Sequence, residues 1–387
     1  MEHTATGSAG RTGKPIMSTH HQEDPATTDG TRIAVAADYL TVRGGAERVA
    51  VAMLDAFPRA RVLTALYEPD ATYPEFGTRH IETLWPNRFA SLRRDVRRAF
   101  PLLASTWSHT NLDADVTFAS SAGWAHGVRS SGRKIVYCHN PARWLYQKDD
   151  YFAGVPATLR HLAASLDLPL RRWDQRAARS ADYYLVNSSS VRRRVEQTYG
   201  IDAEILHPPV TIDPNGQQDP MVGVEPGFLL TVSRPRGYKN TALLAEAVTR
   251  MTRHRLVVVG KLPEGHMVDA GRVLCVSDIS DSELRWLYAN ASALLAASIE
   301  DFGLTPIEAN SFGTPVVALR SGGYLDSVVE GVNGVFFDHN DVHSIAGAID
   351  ELTTAALDPI AIAEHADNFS LQRFTARLHE LAAEFAK

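Results

Sequence analysis

The chain has 387 residues, of which 44% are apolar and 22% are charged, close to the average for globular proteins. This length predicts about two or three domains and argues against one small binding module. The formal net charge of −6 disfavours a general nucleic-acid binder. With only Cys138 and Cys275 present, a disulfide framework and a cysteine-based zinc cluster are excluded. This scarcity of cysteine fits a reducing compartment, and no apolar run approaches the ~18 residues of a spanning helix, so we expect a cytoplasmic protein.

The first predicted element is a disordered tail over 1–30, which is rich in small and polar residues and lacks apolar periodicity. A short apolar strand from residue 32 then leads through a Gly-Gly turn into a helix over 46–57, and this strand–turn–helix pattern repeats. Further strands are predicted at 60–66, 116–120, 134–139, 183–187, 227–233, 256–260, 272–276, 293–297 and 315–319. The repetition predicts an α/β fold with parallel sheets.

A proline-rich, polar interval separates two α/β halves of similar size. We therefore predict an N-terminal domain over 31–208, a linker over 209–225 and a C-terminal domain over 226–370. A last helix over 371–387 is expected to pack back on the N-terminal domain. Ligands of open parallel sheets bind at the carboxyl ends of the strands, so the turns after the strands are the first candidate sites.

The sharpest signal in the C-terminal half is a pair of glutamates, Glu300 and Glu308, with seven residues between them. A glycine turn and a helix start lie in this interval, where the backbone N–H groups of Phe302, Gly303 and Leu304 can bind an anion. Glu308 can accept ribose hydroxyls while Glu300 faces a reacting group. The alternative is that both are ordinary acids of a helix start, favoured by the helix macrodipole.

A second cluster of charge follows the predicted strand 227–233. Arg234 and Lys239 lie in the turn between this strand and the next helix. A guanidinium offers a bidentate fork and an ammonium a point charge, a combination that suits a diphosphate. The alternative interpretation is a solvated loop.

Several short elements, taken together, resemble those of retaining glycosyltransferases of family 4, which have the GT-B fold. They are the Glu300–Glu308 element, the Ser233-Arg234…Lys239 turn, Gly322-Gly323 before Asp326, the glycine loop from Gly44 to Glu47, the Tyr137–Trp144 element, Asn187-Ser188, Arg194 and the segment His207–Val210. The Tyr137–Trp144 element is similar to that of a mannosyltransferase-like subgroup. The resemblance covers about residues 32–370.

The resemblance implies two Rossmann-like, doubly wound domains that face each other across a cleft, with a nucleotide sugar mainly on the C-terminal domain. Arg234 and Lys239 would hold its diphosphate, and Glu308 would hold its ribose. Glu300 and the backbone of 302–304 would hold the sugar.

The resemblance also implies a contribution from the N-terminal half. Gly44, Gly45 and Glu47 would form a glycine loop at the donor, and Gly45 would let the backbone approach the phosphate where a Cβ atom would collide. His139 would lie at the sugar from the N-terminal side. The alternative for His139 is an ordinary core histidine at a strand end.

The family's reaction is a front-face displacement, in which the acceptor hydroxyl attacks on the side from which the diphosphate leaves. The expected donor is GDP-mannose as co-substrate, and the acceptor is a hydroxyl of a glycan, a lipid-linked molecule or a small molecule. Asp113 and Asp115 have the Asp-x-Asp spacing of a metal site, but they precede a strand, so we interpret them as surface acids and expect no metal or other cofactor. The alternatives are a UDP-sugar-dependent transferase, a nucleotide-sugar epimerase of the same fold and a non-catalytic binder.

Three residues depart from the family's pattern. Asp301 stands where many relatives have glycine, Asn140 where the subgroup often has threonine, and Asp326 where glutamate is more usual. These departures bear on the identity of the sugar more than on the reaction.

A basic, amphipathic stretch over 88–100 lies outside these motifs. Helical spacing would place Phe89, Leu92, Val96 and Phe100 on one face, with arginines on its flank. Such a helix suits peripheral docking on an anionic membrane at the inner face of the bilayer. An ordinary amphipathic helix with its apolar face in the core is the alternative.

Overall fold

The structure is a computed structural model of the chain. It describes residues 30–147, 167–233, 239–251, 253–263, 269 and 271–386. The predicted tail therefore lies, except for Gly30, outside the described residues, and so does Arg234.

The N-terminal domain is built on a parallel sheet of seven strands. These strands are β1 (Ile33–Ala37), β2 (Arg61–Thr64), β3 (Ile81–Thr83), β5 (Val116–Ser121), β7 (Arg133–Cys138), β8 (Tyr183–Val186) and β9 (Glu204–Ile205), and β4 (Asn111–Leu112) pairs separately with β6 (Arg129–Ser130). The order across the sheet is β3-β2-β1-β5-β7-β8-β9. All five residues of β1 are buried, as expected for a strand covered on both faces.

The C-terminal domain is built on a second parallel sheet, of six strands. They are β10 (Phe228–Val232), β11 (Leu256–Val259), β12 (Val273–Val276), β13 (Ala291–Ala296), β14 (Val316–Leu319) and β15 (Gly334–Phe337). The order β12-β11-β10-β13-β14-β15 reverses between β10 and β13, which is the topological switch point of a doubly wound fold.

Helices cover both sheets and connect consecutive strands. Those in the described residues are α1 (Gly45–Ala56), α2 (Ala90–Arg94), α3 (Phe100–Ser108), α4 (Arg143–Tyr146), α5 (Asp167–Arg179), α6 (Ser189–Tyr199), α7 (Thr241–Arg250), α8 (Asp281–Asn290), α9 (Leu304–Asn310), α10 (Tyr324–Ser327), α11 (Val342–Thr354), α12 (Pro359–Ala366) and α13 (Leu371–Phe385). None of them combines the length and the apolar character that a bilayer crossing requires. The predicted strands are present with ends shifted by at most two residues, whereas β3, β4, β6, β9 and β15 were not predicted.

The last helix, α13, returns to the N-terminal domain. Phe374, Leu378 and Leu381 are buried in the same apolar cluster as the residues of β1 and α1. Arg377 pairs with Glu204 beside β9, with 2.8 Å between Nη2 and Oε2. Residues of β1 and α1 and residues of α13 therefore share one core.

The prediction of a single amphipathic helix over 88–100 is wrong. The chain forms α2, then a 3-10 turn over Val96–Ala99, and then α3. Asp95 is the reason, because its backbone is extended and its carboxylate accepts a hydrogen bond from the N–H of Arg97, which caps a new turn. Leu92 and Val96 pack against the core, whereas Phe89 remains 52% exposed.

Candidate functional site

Two of the predicted catalytic residues meet at the switch point of the C-terminal sheet. Lys239 follows β10 and Glu300 follows β13, and the Lys239 ammonium donates a hydrogen bond to Glu300 Oε1. Ser298 Oγ donates to the same oxygen at 2.8 Å. Asn240 Nδ2 donates to the carbonyl oxygen of Ala297 at 2.8 Å, which ties the two turns together. A cation and a carboxylate thus lie side by side where ligands of parallel sheets bind.

The turn after Glu300 is fixed by a glycine pair from the next loop. A Cβ atom added to Gly322 would lie 2.4 Å from the carbonyl oxygen of Glu300, and one added to Gly323 would lie 2.2 Å from Cα of Phe302. Gly303 has a φ of +86°, a conformation that side chains rarely adopt. Glycine at these positions therefore permits the loop 322–323 to pack closely on the turn that precedes α9.

Glu308 lies on α9, and its carboxylate is oriented by a buried tyrosine. Tyr288 of α8 donates a hydrogen bond to Glu308 Oε2 at 2.8 Å. Burial raises the pKa of Tyr288 well above its usual range, so the phenol keeps its proton. The role of Glu308 toward a ribose stays a prediction.

On the N-terminal side, His139 follows β7 and is almost fully buried. Its Nε2 lies 2.8 Å from Ser120 Oγ, and its carbonyl oxygen accepts a hydrogen bond from Asn187 Nδ2 at 3.0 Å. Burial lowers the pKa of His139 to about 4, and the charge of the nearby Asp301 opposes this shift only in part. The imidazole is therefore neutral at physiological pH.

The glycine loop of the N-terminal domain reaches the C-terminal turn. Helix α1 begins at Gly45, and a Cβ atom there would lie 3.7 Å from Leu304 Cδ1, across the junction of the domains. Glu47 is buried, and its Oε2 lies so close to Gly44 that a Cβ atom would be 2.0 Å away. The structure thus brings Gly45 to the turn 300–304, whereas the Glu47 carboxylate lies against its own loop.

Sequence reasoning missed a set of polar contacts that join the two domains at this turn. The Asp301 carboxylate accepts hydrogen bonds from Arg143 Nη2 and, at 2.5 Å, from Arg194 Nη1. Ser188 Oγ donates to the carbonyl oxygen of Asp301 at 2.5 Å. One feature of the sequence could have indicated these contacts. Arg143 and Arg194 belong to the family-like elements, whereas Asp301 stands where many relatives have glycine.

A second acid of the C-terminal domain makes a similar contact. Asp326 accepts hydrogen bonds from the backbone N–H of Ser189 at 2.5 Å and from the Ser189 hydroxyl, at the start of α6. His207 lies beside it, with 3.9 Å between Nδ1 and Asp326 Oδ2, and stacks on Phe302 at 5.3 Å between ring centroids. Two of the three departures from the family's pattern are therefore acids at the domain junction.

Asp113 and Asp115 have a structural partner. Arg32 Nη1 lies 2.9 Å from Asp113 Oδ2, and Arg32 Nη2 lies 2.9 Å from Asp115 Oδ1. These ion pairs lower the pKa of both carboxyl groups. In the part of the chain that the structure describes, no group of three or more His, Cys, Asp or Glu side chains is arranged to hold a metal ion.

Two doubly wound domains with a polar site between them define the GT-B architecture, and the comparisons with known proteins agree. The family described as "Glycosyltransferase Family 4" matches residues 43–214, and "Glycosyl transferases group 1" matches residues 218–368. The chain therefore contains a family 4 glycosyltransferase domain followed by a group 1 glycosyltransferase domain, with the GT-B fold.

Similar proteins of known name or structure include a D-inositol 3-phosphate glycosyltransferase of Mycobacterium tuberculosis. It is 28% identical over 241 residues, which are 54% of this chain and 50% of that protein. The chain thus spans about half the length of the curated relatives it matches.

Solved structures are similar over nearly the whole chain. Anabaena Alr3699/HepE in complex with UDP-glucose has a TM-score of 0.64 at 18% identity, covering 92% of this chain and 100% of that one. Sucrose-phosphate synthase of Thermosynechococcus elongatus has a TM-score of 0.65 at 16% identity, covering 92% and 98%. The lipopolysaccharide outer core galactosyltransferase WaaB has a TM-score of 0.62 at 18% identity, covering 90% and 98%. At these identities the likeness shows the fold alone.

The low pKa of His139 predicts a specific acid sensitivity. The pKa of a histidine in the unfolded chain is about 6.5, whereas the pKa of His139 in the folded protein is about 4. The unfolded state therefore binds more protons between these two pH values, and acid favours unfolding. Between pH 7 and pH 4.5, we expect the free energy of unfolding of the wild type to fall about 2 kcal/mol more than that of His139→Gln. Urea unfolding at both pH values measures this difference. Parallel losses in the two proteins would contradict it.

Proposed function

We propose that the protein is a retaining glycosyltransferase, which moves a hexose from a nucleoside diphosphate to a hydroxyl group of an acceptor. The observation that carries this proposal is the contact of Lys239 with Glu300 at the switch point of the C-terminal sheet. Gly45 approaches the same turn from the N-terminal domain, and the charge of Asp301 in this turn acts on His139. A donor that lies between the domains would therefore meet a cation, a carboxylate and a neutral imidazole.

The proposed division of roles follows from charge. Lys239, together with Arg234, binds the diphosphate and stabilises the negative charge that grows on it as the sugar leaves. Glu300 and the backbone amides of 302–304 bind sugar hydroxyls, and Glu308 binds the ribose. Without a donor, Glu300 neutralises Lys239, and a diphosphate would compete for the same ammonium.

A neutral His139 suits the proposed displacement. Positive charge develops on the sugar ring as its bond to the diphosphate breaks, and a charged imidazolium would oppose it. The buried imidazole instead offers a hydrogen bond without charge. The acceptor hydroxyl attacks the anomeric carbon on the face from which the diphosphate leaves. Its proton passes to a leaving phosphate oxygen, so the protein acts mainly by positioning and charge stabilisation.

Removing the Lys239 ammonium is expected to slow the chemical step. We expect Lys239→Ala to lower kcat at least about a hundredfold, because one key stabiliser of transition-state charge is lost. Arg250→Ala is the matched control, since it removes a cation that pairs with Glu246 at the exposed end of α7 in the same domain. Steady-state kinetics on both purified variants measure the effect. Near-normal turnover in Lys239→Ala would refute the proposed role.

The proposed donor is GDP-mannose, on the strength of the mannosyltransferase-like element 137–144. A UDP-hexose is the second candidate, because a structural neighbour, Alr3699/HepE, was crystallised with UDP-glucose. These donors share a diphosphate and a ribose, and they differ in the base and the hexose.

A thermal-shift panel of GDP-mannose, UDP-glucose, UDP-galactose and ADP-glucose separates the candidates. A ligand that binds only the folded state stabilises it, and we expect a near-saturating donor to raise Tm by about 5 °C. GDP-mannose should give the largest shift. A larger shift with a UDP-hexose would replace GDP-mannose as donor, and no shift with any nucleotide sugar would contradict the proposed function. Product analysis without an acceptor then distinguishes an epimerase, which needs none.

Peripheral membrane contact is proposed for the N-terminal domain, toward a lipid-linked acceptor. Trp85 is 48% exposed and Phe89 is 52% exposed, and their rings contact each other edge to face at 6.2 Å between centroids. Arg97 and Arg98 follow, with side chains 68% and 66% exposed, and Asp95 neutralises part of their charge. Exposed aromatic rings beside arginines suit the headgroup region of an anionic bilayer.

Vesicle sedimentation tests this contact. We expect the wild type to sediment with phosphatidylglycerol-containing vesicles, and the Trp85→Ser, Phe89→Ser double variant to lose at least about two thirds of the bound fraction, since two apolar side chains no longer enter the interface. Ile360→Ser serves as control, because Ile360 is 68% exposed on α12 of the other domain. Equal sedimentation of wild type and double variant would exclude the proposed contact.

A further inference from the structure

One carboxylate of the C-terminal domain is shared by two guanidinium groups of the N-terminal domain. The side chain of Asp301 is 18% exposed, that of Arg194 is 24% exposed and that of Arg143 is 39% exposed. Charge-assisted hydrogen bonds of this kind are about twice as strong as neutral ones, and partial burial protects them from screening by salt. The contact is therefore stronger than an ordinary surface ion pair.

Arg194 also binds the N-terminal loop that carries His139. Its Nη1 donates at 2.9 Å to Oδ1 of Asn140, the residue directly after His139, as well as to Asp301, the residue directly after Glu300. One guanidinium thus contacts the immediate neighbours of two site residues that belong to different domains. Its position fixes the distance between the two loops.

We propose that Asp301 and Arg194 are positioning residues, which clamp the turn 300–304 to the N-terminal domain and so set Glu300 against His139. This inference rests on the proposed function. Neither residue touches the reacting atoms in this scheme. They act through Glu300 and His139, and their effect is on the arrangement of the closed domains.

The neighbouring side chains of Glu300 and Asp301 point to different domains, which explains how the clamp can position Glu300. The Glu300 side chain points to Lys239 in its own domain, whereas the Asp301 side chain points to the N-terminal domain. The glycine pair 322–323 packs closely on the backbone of this turn, and the N–H of Gly323 donates a hydrogen bond to the carbonyl oxygen of Glu300 at 2.9 Å. A change in the position of Asp301 is therefore expected to displace Glu300 as well.

The clamp predicts a change in kcat with little change in donor KM, since the donor binds mainly to the C-terminal domain. We expect Asp301→Asn and Arg194→Gln each to lower kcat at least about tenfold, in line with the cost of a small misplacement at a reacting centre. Donor KM should stay within about threefold of wild type. Their effects should be non-additive in the double variant, because both break one contact.

Controls separate the clamp from general loss of charge or of fold. Asp202→Asn is the matched control. Asp202 accepts a hydrogen bond at 2.7 Å from Arg192, which lies on α6 as Arg194 does, but this ion pair stays within the N-terminal domain. This variant should keep wild-type kcat. Asp301→Glu retains the charge and should recover most of the activity lost in Asp301→Asn. Thermal unfolding of each variant verifies that the fold is intact.

A distance measurement tests the clamp without relying on turnover. Spin labels on the exposed native Cys275 and on Asp70→Cys, an exposed position of the N-terminal domain, report the separation of the domains with UDP or GDP present. We expect a narrow distance distribution in wild type, Asp202→Asn and Asp301→Glu, and a broad one in Asp301→Asn and Arg194→Gln. An unchanged distribution in Asp301→Asn, or an unchanged kcat beside a broad distribution, would overturn the proposal. If the wild type transfers no sugar, the proposed function fails, whereas the distances still decide whether the clamp exists.

Discussion

The site depends on one constraint, which is that both sheets are entirely parallel. In a parallel sheet every strand delivers its carboxyl end to the same edge, so the turns after different strands converge although they are far apart in sequence. Lys239 and Glu300 are 61 residues apart, yet they touch because β10 and β13 are neighbours. His139 reaches the junction in the same way, from the end of β7. Within each domain, the parallel sheet alone therefore brings the polar groups to one edge.

The charged groups at this junction form ion pairs of two kinds, one within the C-terminal domain and the others between the two domains. Lys239 and Glu300 are paired within the C-terminal domain, whereas Arg143 and Arg194 are paired with Asp301 across the two domains. A partly buried charge without a partner is costly, so each of these pairs favours the arrangement in which it forms. The Lys239–Glu300 pair preorganises the surface that is proposed to bind the donor. The two ion pairs of Asp301 favour the closed arrangement of the domains. The neutral imidazole of His139 adds no charge to this balance.

Neighbours with 16–18% identity share the GT-B fold over most of the chain, so the fold tolerates almost complete replacement of the sequence. Asp301 and Asp326, two of the residues at which the sequence was expected to depart from the family's pattern, lie at the junction. Both acids contact the N-terminal domain at or near the start of α6. A fold-level likeness could not have assigned a role to either.

The sequence by itself determined the α/β class, the division into two halves, and most strands to within one or two residues, because buried parallel strands are continuous apolar runs. It also placed Lys239, Glu300 and His139 in turns at strand ends. It did not predict β15, or the break at Asp95 within the stretch 88–100, since an amphipathic pattern does not reveal a local capping bond.

Only the tertiary structure decided which of these turns meet, and which residues join them. Arg194 is one of several arginines in α6, and its sequence neighbourhood does not indicate that it contacts Asp301 and Asn140. Nor does the pattern show that His139 is buried enough to stay neutral. Hydrophobic periodicity is a local property of the chain. The contact between Arg194 and Asp301 joins segments 107 residues apart, and the burial of His139 depends on how separate strands and helices pack. Local spacing encodes neither of these.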